Sequence, residues 1–415
     1  RAGPSFGAQA GRTTSGSLPL SQLLFSDPAL ANIGMQQDLH ESREHELESL
    51  RLDIALQAAT TYLNLLRARS LVRIQRSNLE VTRSNLELAE IRRTIGAANP
   101  AEVYRWESQI ATDRKALVEA MQSQRAAEIA LNRLLHVDLE RRFVIAEVEL
   151  DDPDLITGQE RFEGYTETPA RARVLRDFIV QEGLTVAPEL RQLDAAIRAQ
   201  ERAVRVARRA YWAPTVGLRA SLDEVFSRGG AGSSGGGFSI GGLMIHEVDD
   251  TSRSIGGSAS LPLFAGGSRS AELAQAEELL TELNLRFDAL AERIASRIRI
   301  GMEIARGSFQ GIGLARQASE AAFKSLDLVS DAYARGAVSI LDLLDAQNAA
   351  LGAEQLSANA IYDFFVDLME VQRAANRFDF FLTPTERDLW YERLESYFDR
   401  AAARPIGETE METEQ

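Results

Sequence analysis

The run from Pro28 to Ile95 contains nothing that breaks a helix. At 1.5 Å per residue it predicts a rod of roughly 100 Å. Such a rod cannot fold into a globule and must pack along its length against equally long partners. Leu52, Leu56, Ala59, Leu63 and Leu66 step by four and three, and Leu65, Val72, Leu79 and Leu86 step by seven, which is the spacing of coiled-coil seams. Leu283, Phe287, Leu290 and Ile294 repeat the pattern far along the chain. Aromatics make up only 7% of the 415 residues, and the hydrophobic 45% leans on Ala and Leu, a balance that favours long helices.

The chain also resembles itself. Pro4 to Ala10 aligns with Pro214 to Ala220 at an offset of 210, and Leu24-Phe25 with Leu263-Phe264 at 239. Arg93 to Asn99, followed by Glu102-Val103, aligns with Tyr333 to Ser339, followed by Asp342-Leu343, at 240. The offsets place 29 extra residues of the second copy around a Gly/Ser-rich stretch, Ser227 to Asp250, and leave the long helical element constant. Each copy therefore reads as a β-hairpin, a long helix, a tight reversal and a second helix.

The expected organisation is a first repeat, 1–137, with hairpin 3–26, helix 28–95, tip 96–99 and helix 100–137. An inter-repeat segment follows at 138–186. The second repeat, 187–383, holds helix 187–212, hairpin 213–265, helix 268–335, tip 336–339 and helix 340–382. A C-terminal helix, 384–400, and a disordered acidic tail, 401–415, complete the chain. The second copy opens with a helix ahead of its first strand, so residues upstream of Arg1, a secretion leader among them, are expected to have supplied the first copy's equivalent.

Val216, Leu218, Ala220 and Leu222 alternate with Thr215, Gly217, Arg219 and Ser221. Ala259, Leu261 and Leu263 alternate with Ser258 and Ser260. Period-two alternation with small polar residues on one face suits a strand between lipid and a wet lumen, and equally an ordinary half-buried hairpin. No stretch reaches the ~18 uninterrupted apolar residues of a spanning helix, so a bilayer crossing would have to use strands.

The net charge of −15 argues against nucleic acid as a partner, and the absence of cysteine removes disulfides, thiolate zinc sites and cysteine nucleophiles together. His40, His45, His136 and His246 have no ligand spacing. The only lysines, Lys115 and Lys324, fit no phosphate loop, so no catalytic residue, metal or cofactor is expected and any transport energy must come from a partner. In GAVSILDLLDAQNA, Asp342 and Asp345 share one helix face. They suit an acid/base pair, a metal site, a charge placed for the helix dipole, or one slice of a ring completed by other chains.

Three stretches settle on a family. SLPLFAGGSR (Ser260 to Arg269), YARGAVSILDLLDAQ (Tyr333 to Gln347) and FFLTPTERDLWYERL (Phe380 to Leu394), in this order and spacing, resemble the outer-membrane efflux proteins, the TolC-like channels. The resemblance covers nearly the whole chain. It implies a mainly α protein with β-hairpins that forms a homotrimer, with a twelve-stranded outer-membrane β-barrel in lipid on a periplasmic α-helical barrel. It implies the exit duct of a tripartite efflux or type I secretion system, joined to a periplasmic adaptor and to a proton-driven or ABC inner-membrane pump. Asp342 and Asp345 fall on the family's constricting carboxylate rings, and Tyr333 and Glu102 on a latch whose arginine position holds Val338 here. Gly96 and Gly336 fall on the tip turns that meet the adaptor, and Pro262, Leu263, Phe264, Gly266 and Gly267 on the strand-to-helix junction. The alternative is a periplasmic coiled-coil adaptor or tether without a pore. Cargo cannot be read, because a passive conduit carries no substrate pocket.

Overall fold

In the computed structural model the described residues are 12–146, 148, 150, 162, 164–229, 239–240, 243–244 and 250–403. The chain divides into two compact units, Arg1–Glu44 with Gln192–Phe287, and His45–Arg191 with Asp288–Gln415. Helices α1 (Asp27–Thr94) and α5 (Ser268–Ala334) run through both divisions.

The first unit holds β1 (Arg12–Phe25), β2 (Thr215–Gly229), two short strands β3 (Ser239–Ile240) and β4 (Leu243–Met244), and β5 (Thr251–Ser260). The strands β1, β2 and β5 form an antiparallel sheet in the order β1-β2-β5. Its register sorts the side chains by face. Leu18 stands opposite Leu222, Leu20 opposite Ala220, and Ala220 opposite Ile255, giving an apolar face interrupted by Gln22, Glu224 and Arg253. Ser17, Ser21, Arg219, Ser221, Asp223, Ser252, Ser254 and Ser258 share the other face. None of the described side chains in these three strands is buried.

Residues 12–25 of the hairpin expected at 3–26 form one continuous strand paired to β2. The remainder of that hairpin lies outside the described residues, as do most of the Gly-rich loop and the acidic tail from residue 404. Gly16 sits inside the strand. A Cβ there would stand 2.7 Å from Phe226 Cε2, so the missing side chain gives that ring its place. The strand β5 ends at Ser260, leaving Leu261 and Leu263 of the expected alternation beyond it.

The first unit also holds helix α4 (Pro188–Arg209) from Gln192 onward, which lies along α1 through ion pairs. Arg202 Nε donates to Asp38 Oδ2 at 2.5 Å, Arg198 to Glu41 at 2.5 Å, and Arg209 to Asp27 at 3.1 Å.

The second unit is helical: most of α1 and α5, with α2 (Pro100–Leu134), α3 (Pro169–Val186), α6 (Ile340–Ala374), a 3-10 turn Asp379–Phe381 and α7 (Pro384–Ala402). The seam residues Leu63, Leu66, Phe364, Phe365, Leu368 and Phe378 form one apolar cluster. Ala89, Val103, Trp106, Tyr333, Ile340 and Leu343 form another. A third, of Tyr165, Leu175, Phe178, Trp390, Tyr391 and Leu394, joins α3 to α7.

Helix α6 stops at Ala374, short of the expected 382, and α2 stops at Leu134, short of 137. Both end alike. Asn376 and His136 take left-handed φ values of 59° and 54°. Arg377 N then donates to Gln372 O at 2.9 Å, and Val137 N to Asn132 O at 3.1 Å, satisfying carbonyls the helix leaves open.

Polar side chains also enter the seams. Gln347 Nε2 donates to Asn78 Oδ1 at 2.9 Å and to Thr82 Oγ1 at 2.6 Å, while its Oε1 accepts from Asn85 at 3.1 Å. Thr82 in turn donates to Asp113 at 2.5 Å, so α1, α2 and α6 share one buried network. Farther along α6, Arg373, only 7% exposed at its side chain, donates to Asp53 and to Glu189 at 2.7 Å each. Burial alone would push the Glu189 carboxyl up, but donation and charge from Arg373 outweigh it, and the group sits below its ordinary value. Burial likewise opposes the Arg373 charge, and Asp53 and Glu189 outweigh it.

Replacing Arg373 with Met takes the cation from part-buried Glu189, which keeps the Ser49 hydroxyl as a donor, and is expected to cost ~1–3 kcal/mol, the usual loss when a part-buried charged group loses a hydrogen-bond partner. Because Glu189 is depressed in the fold, the stability it contributes is present above the ordinary carboxylate pKa and lost as pH falls through the depressed value. Thermal unfolding of the parent and Arg373→Met across pH 3 to 7 checks both points, and the acid dependence should shrink in the variant.

Candidate functional site: the helix tips

The reversals between α1 and α2, and between α5 and α6, are built the same way. Gly96 and Gly336 take φ of 78° and 77°, a conformation that side chains with a Cβ resist. Ala97 N donates to Arg92 O at 2.8 Å and Ala337 N to Ala332 O at 2.9 Å, while Gly96 N and Gly336 N close the inner bonds at 3.0 and 2.9 Å. Each is a Schellman ending, with glycine just past the helix.

The following helices are capped differently. Asn99 Oδ1 accepts from Ala101 N at 3.1 Å, and Pro100 begins α2 without needing a donor. Ser339 and Asp342 form a capping box: Ser339 N and Oγ donate to Asp342 Oδ2 at 2.9 and 2.7 Å, and Asp342 N donates to Ser339 Oγ at 3.4 Å. The Ser339 hydroxyl and then its backbone N–H hold the Asp342 carboxyl below its ordinary value. Asp342 thus serves the helix start, one of the roles open to it in sequence. Asp345 lies one turn on, and both carboxylates are exposed.

Tyr333 and Glu102, 231 residues apart, meet: the phenol donates to Glu102 Oε2 at 3.0 Å. Burial pushes the Tyr333 hydroxyl above its ordinary value, and the Glu102 carboxylate adds to the rise. Trp106, fully buried, packs in the same cluster. Sequence reasoning missed the third member. Arg92 lies over the Tyr333 ring, 4.5 Å from its centroid, donates to the Tyr333 carbonyl, and reaches Ala97 O at 3.4 Å. The one signal in sequence was a basic residue in the last turn of α1. Val338 is half-buried against the apolar cluster.

The strand-to-helix junction belongs to the other unit. Gly266 and Gly267 have φ of 58° and 88°, and Arg269 donates to the Pro262 carbonyl. Leu263 and Phe264 are 90% and 89% exposed, a pair of apolar side chains with no cover in the single chain.

Among the described residues no group of His, Asp and Glu is placed to hold a metal, and no helix is long and apolar enough to cross a membrane. The family model for outer membrane efflux proteins matches residues 5–136 and 179–377. The chain belongs to the outer membrane efflux protein family. Outer membrane protein TolC of Escherichia coli strain K12 is 26% identical over 157 residues, 37% of this chain and 32% of TolC, so the match spans about a third of that relative. Outer membrane efflux protein BepC of Brucella suis biovar 1 is 21% identical over 361 residues, 87% of this chain and 71% of BepC. Among solved structures, the outer membrane protein VceC of Vibrio cholerae superposes with a TM-score of 0.66 at 16% identity, covering 88% of this chain and 87% of VceC. This outer membrane efflux family member is accordingly a TolC-like fold, mainly helical with a small antiparallel sheet, and its place is the outer membrane.

Ser339→Ala removes one half of the capping box and is expected to cost ~1 kcal/mol at the start of α6. Amide exchange over Ile340 to Leu343 should then quicken about fivefold, with the start of α2 unchanged, as read by hydrogen-exchange mass spectrometry. Protection there, once the intrinsic pH dependence of amide exchange is divided out, should also fall in the parent as acid protonates Asp342, because a carboxylate depressed in the fold stabilises above its ordinary pKa and is lost below the depressed value.

Proposed function

We propose that this protein is the passive exit duct of a tripartite efflux or type I secretion system. Three copies share one twelve-stranded barrel in the outer membrane, and their helices form a periplasmic tube. The carrying observation is the sheet. Among the described residues one face is mainly apolar and the other mainly polar, neither is buried, and β1 and β5 stand at the two edges. In lipid an open edge is forbidden, so copies must complete one another. Three chains of four strands give an even twelve. The fourth strand of each chain would fall on residues 1–11, which lie outside the described residues.

Two tandem repeats underlie this arrangement. In support, α1 and α5 have 68 and 67 residues, α2 and α6 have 35 each, and both tips close through the same glycine turn. We place the gate at these tips. Threefold symmetry would turn Asp342 and Asp345 into two stacked rings of carboxylates, both exposed in the single chain and therefore available to line an opening. Tyr333 and Glu102 latch the gate, and the turns at Gly96 and Gly336 are where an adaptor from a proton-driven or ABC pump would dock.

Stacked carboxylates attract cations and disfavour anions. Single-channel recordings in planar bilayers should therefore show a cation-selective resting channel that multivalent cations block from the tip side. In Asp342→Asn/Asp345→Asn the selectivity should fall and the block weaken, with the assembled oligomer intact. Unchanged selectivity and block would leave Asp342 as a helix cap only and remove the rings from the account.

A further inference from the structure

We propose that Arg92 is the positioning residue of the gate, a clasp that ties the two helix tips of one chain into a single body. The inference rests on the reading of the tips as the gate. It comes from a geometry that the rings and the Tyr333–Glu102 contact do not use.

Arg92 stands in the last turn of α1. Its guanidinium reaches both reversals at once, donating through Nη1 to the carbonyl of Tyr333 in the second tip and through Nη2 to the carbonyl of Ala97 in its own. The Tyr333 carbonyl already accepts the Gly336 N–H at 2.9 Å as part of the α5 ending. The cation therefore sits where α1 and α5 both turn their negative, carbonyl-bearing ends, and neutralises two helix termini with one charge. The Cζ of the group lies over the Tyr333 ring, 4.5 Å from its centroid. A Cβ added to Gly336 would stand 3.8 Å from Nη2, so the second tip closes directly around the clasp.

Tyr333 is thereby held twice, its backbone by Arg92 and its hydroxyl by Glu102. The two bonds come from opposite sides of the first reversal, the end of α1 and the start of α2. Withdrawing the second tip must break both. A lysine would retain the charge but has no planar fork to bridge two carbonyls while lying on a ring.

The test is the resting conductance of the full-length protein in planar bilayers, read beside the thermal stability of the oligomer. Losing a charge-assisted bond to a terminal carbonyl corresponds to about a tenfold shift in a two-state equilibrium. Arg92→Gln should raise the fraction of time spent in the high-conductance state by about that factor. Arg92→Lys, which keeps the charge on the helix ends, should also stay above the parent. A purely structural arginine would lower the melting temperature and leave the open fraction of surviving channels unchanged. That result, or an Arg92→Lys channel that gates like the parent, overturns the proposal. If the open fraction does not move while the Asp342→Asn/Asp345→Asn variant still alters selectivity, the gate remains at the tips without Arg92. If neither changes anything, the clasp and the gate reading fall together.

Discussion

Among the described residues the three-stranded sheet has one mainly apolar face and one mainly polar face, and neither is buried in the single chain. An open sheet edge presents a row of unpaired N–H and C=O groups, and lipid offers them no partner. Closure into a barrel with neighbouring copies satisfies the edges and gives each face its proper medium at once. The other exposed apolar groups follow the same logic. Leu263 and Phe264 stand uncovered just beyond β5, and Leu279, Leu285, Ile300, Leu314 and Leu328 stand uncovered along α5. Monomeric soluble proteins rarely leave so much apolar surface in line.

The helices face a different problem. A long Ala/Leu seam is sticky but indifferent to register, since sliding by one turn replaces one Leu with another. Polar groups buried in the seam remove that freedom. Gln347 meets Asn78, Thr82 and Asn85 in only one register, and Arg373 meets Asp53 and Glu189 in only one. Slippage would leave these groups unpaired in a dry interior at ~1–3 kcal/mol each. The apolar seams hold the helices together, and the polar layers fix where along each other they stop. That placement brings Tyr333 to Glu102 and Arg92 beneath both.

The long helices were legible because their periodicity runs for many turns: α1 spans Asp27–Thr94 against an expected 28–95, and α5 Ser268–Ala334 against 268–335. Their short partners ended early because Asn376 and His136 adopt the left-handed conformation without a glycine or proline to announce it. Of the hairpin placed at 3–26 the described residues hold one arm, Arg12–Phe25, in which Gly16 clears space for a ring from the neighbouring strand. At the tips, Tyr333 and Glu102 came from resemblance to a family, and their contact is present in the single chain. Arg92 was invisible for a physical reason. Its partners are main-chain carbonyls, one of them 241 residues away, and a backbone acceptor leaves no mark in the residue code. The buried network was readable in principle, since Asn78, Thr82 and Asn85 fall at the four- and three-residue steps where a seam should be apolar.

The claim on which everything rests is that the sheet is a share of a barrel and not a complete element. The mass of the protein extracted in mild detergent, by native mass spectrometry after the detergent is stripped in the gas phase, tests it most directly. The account predicts a single species of three chains, each of 45.7 kDa, that aggregates when detergent is withdrawn in solution. A monodisperse single chain that stays soluble without detergent would contradict it.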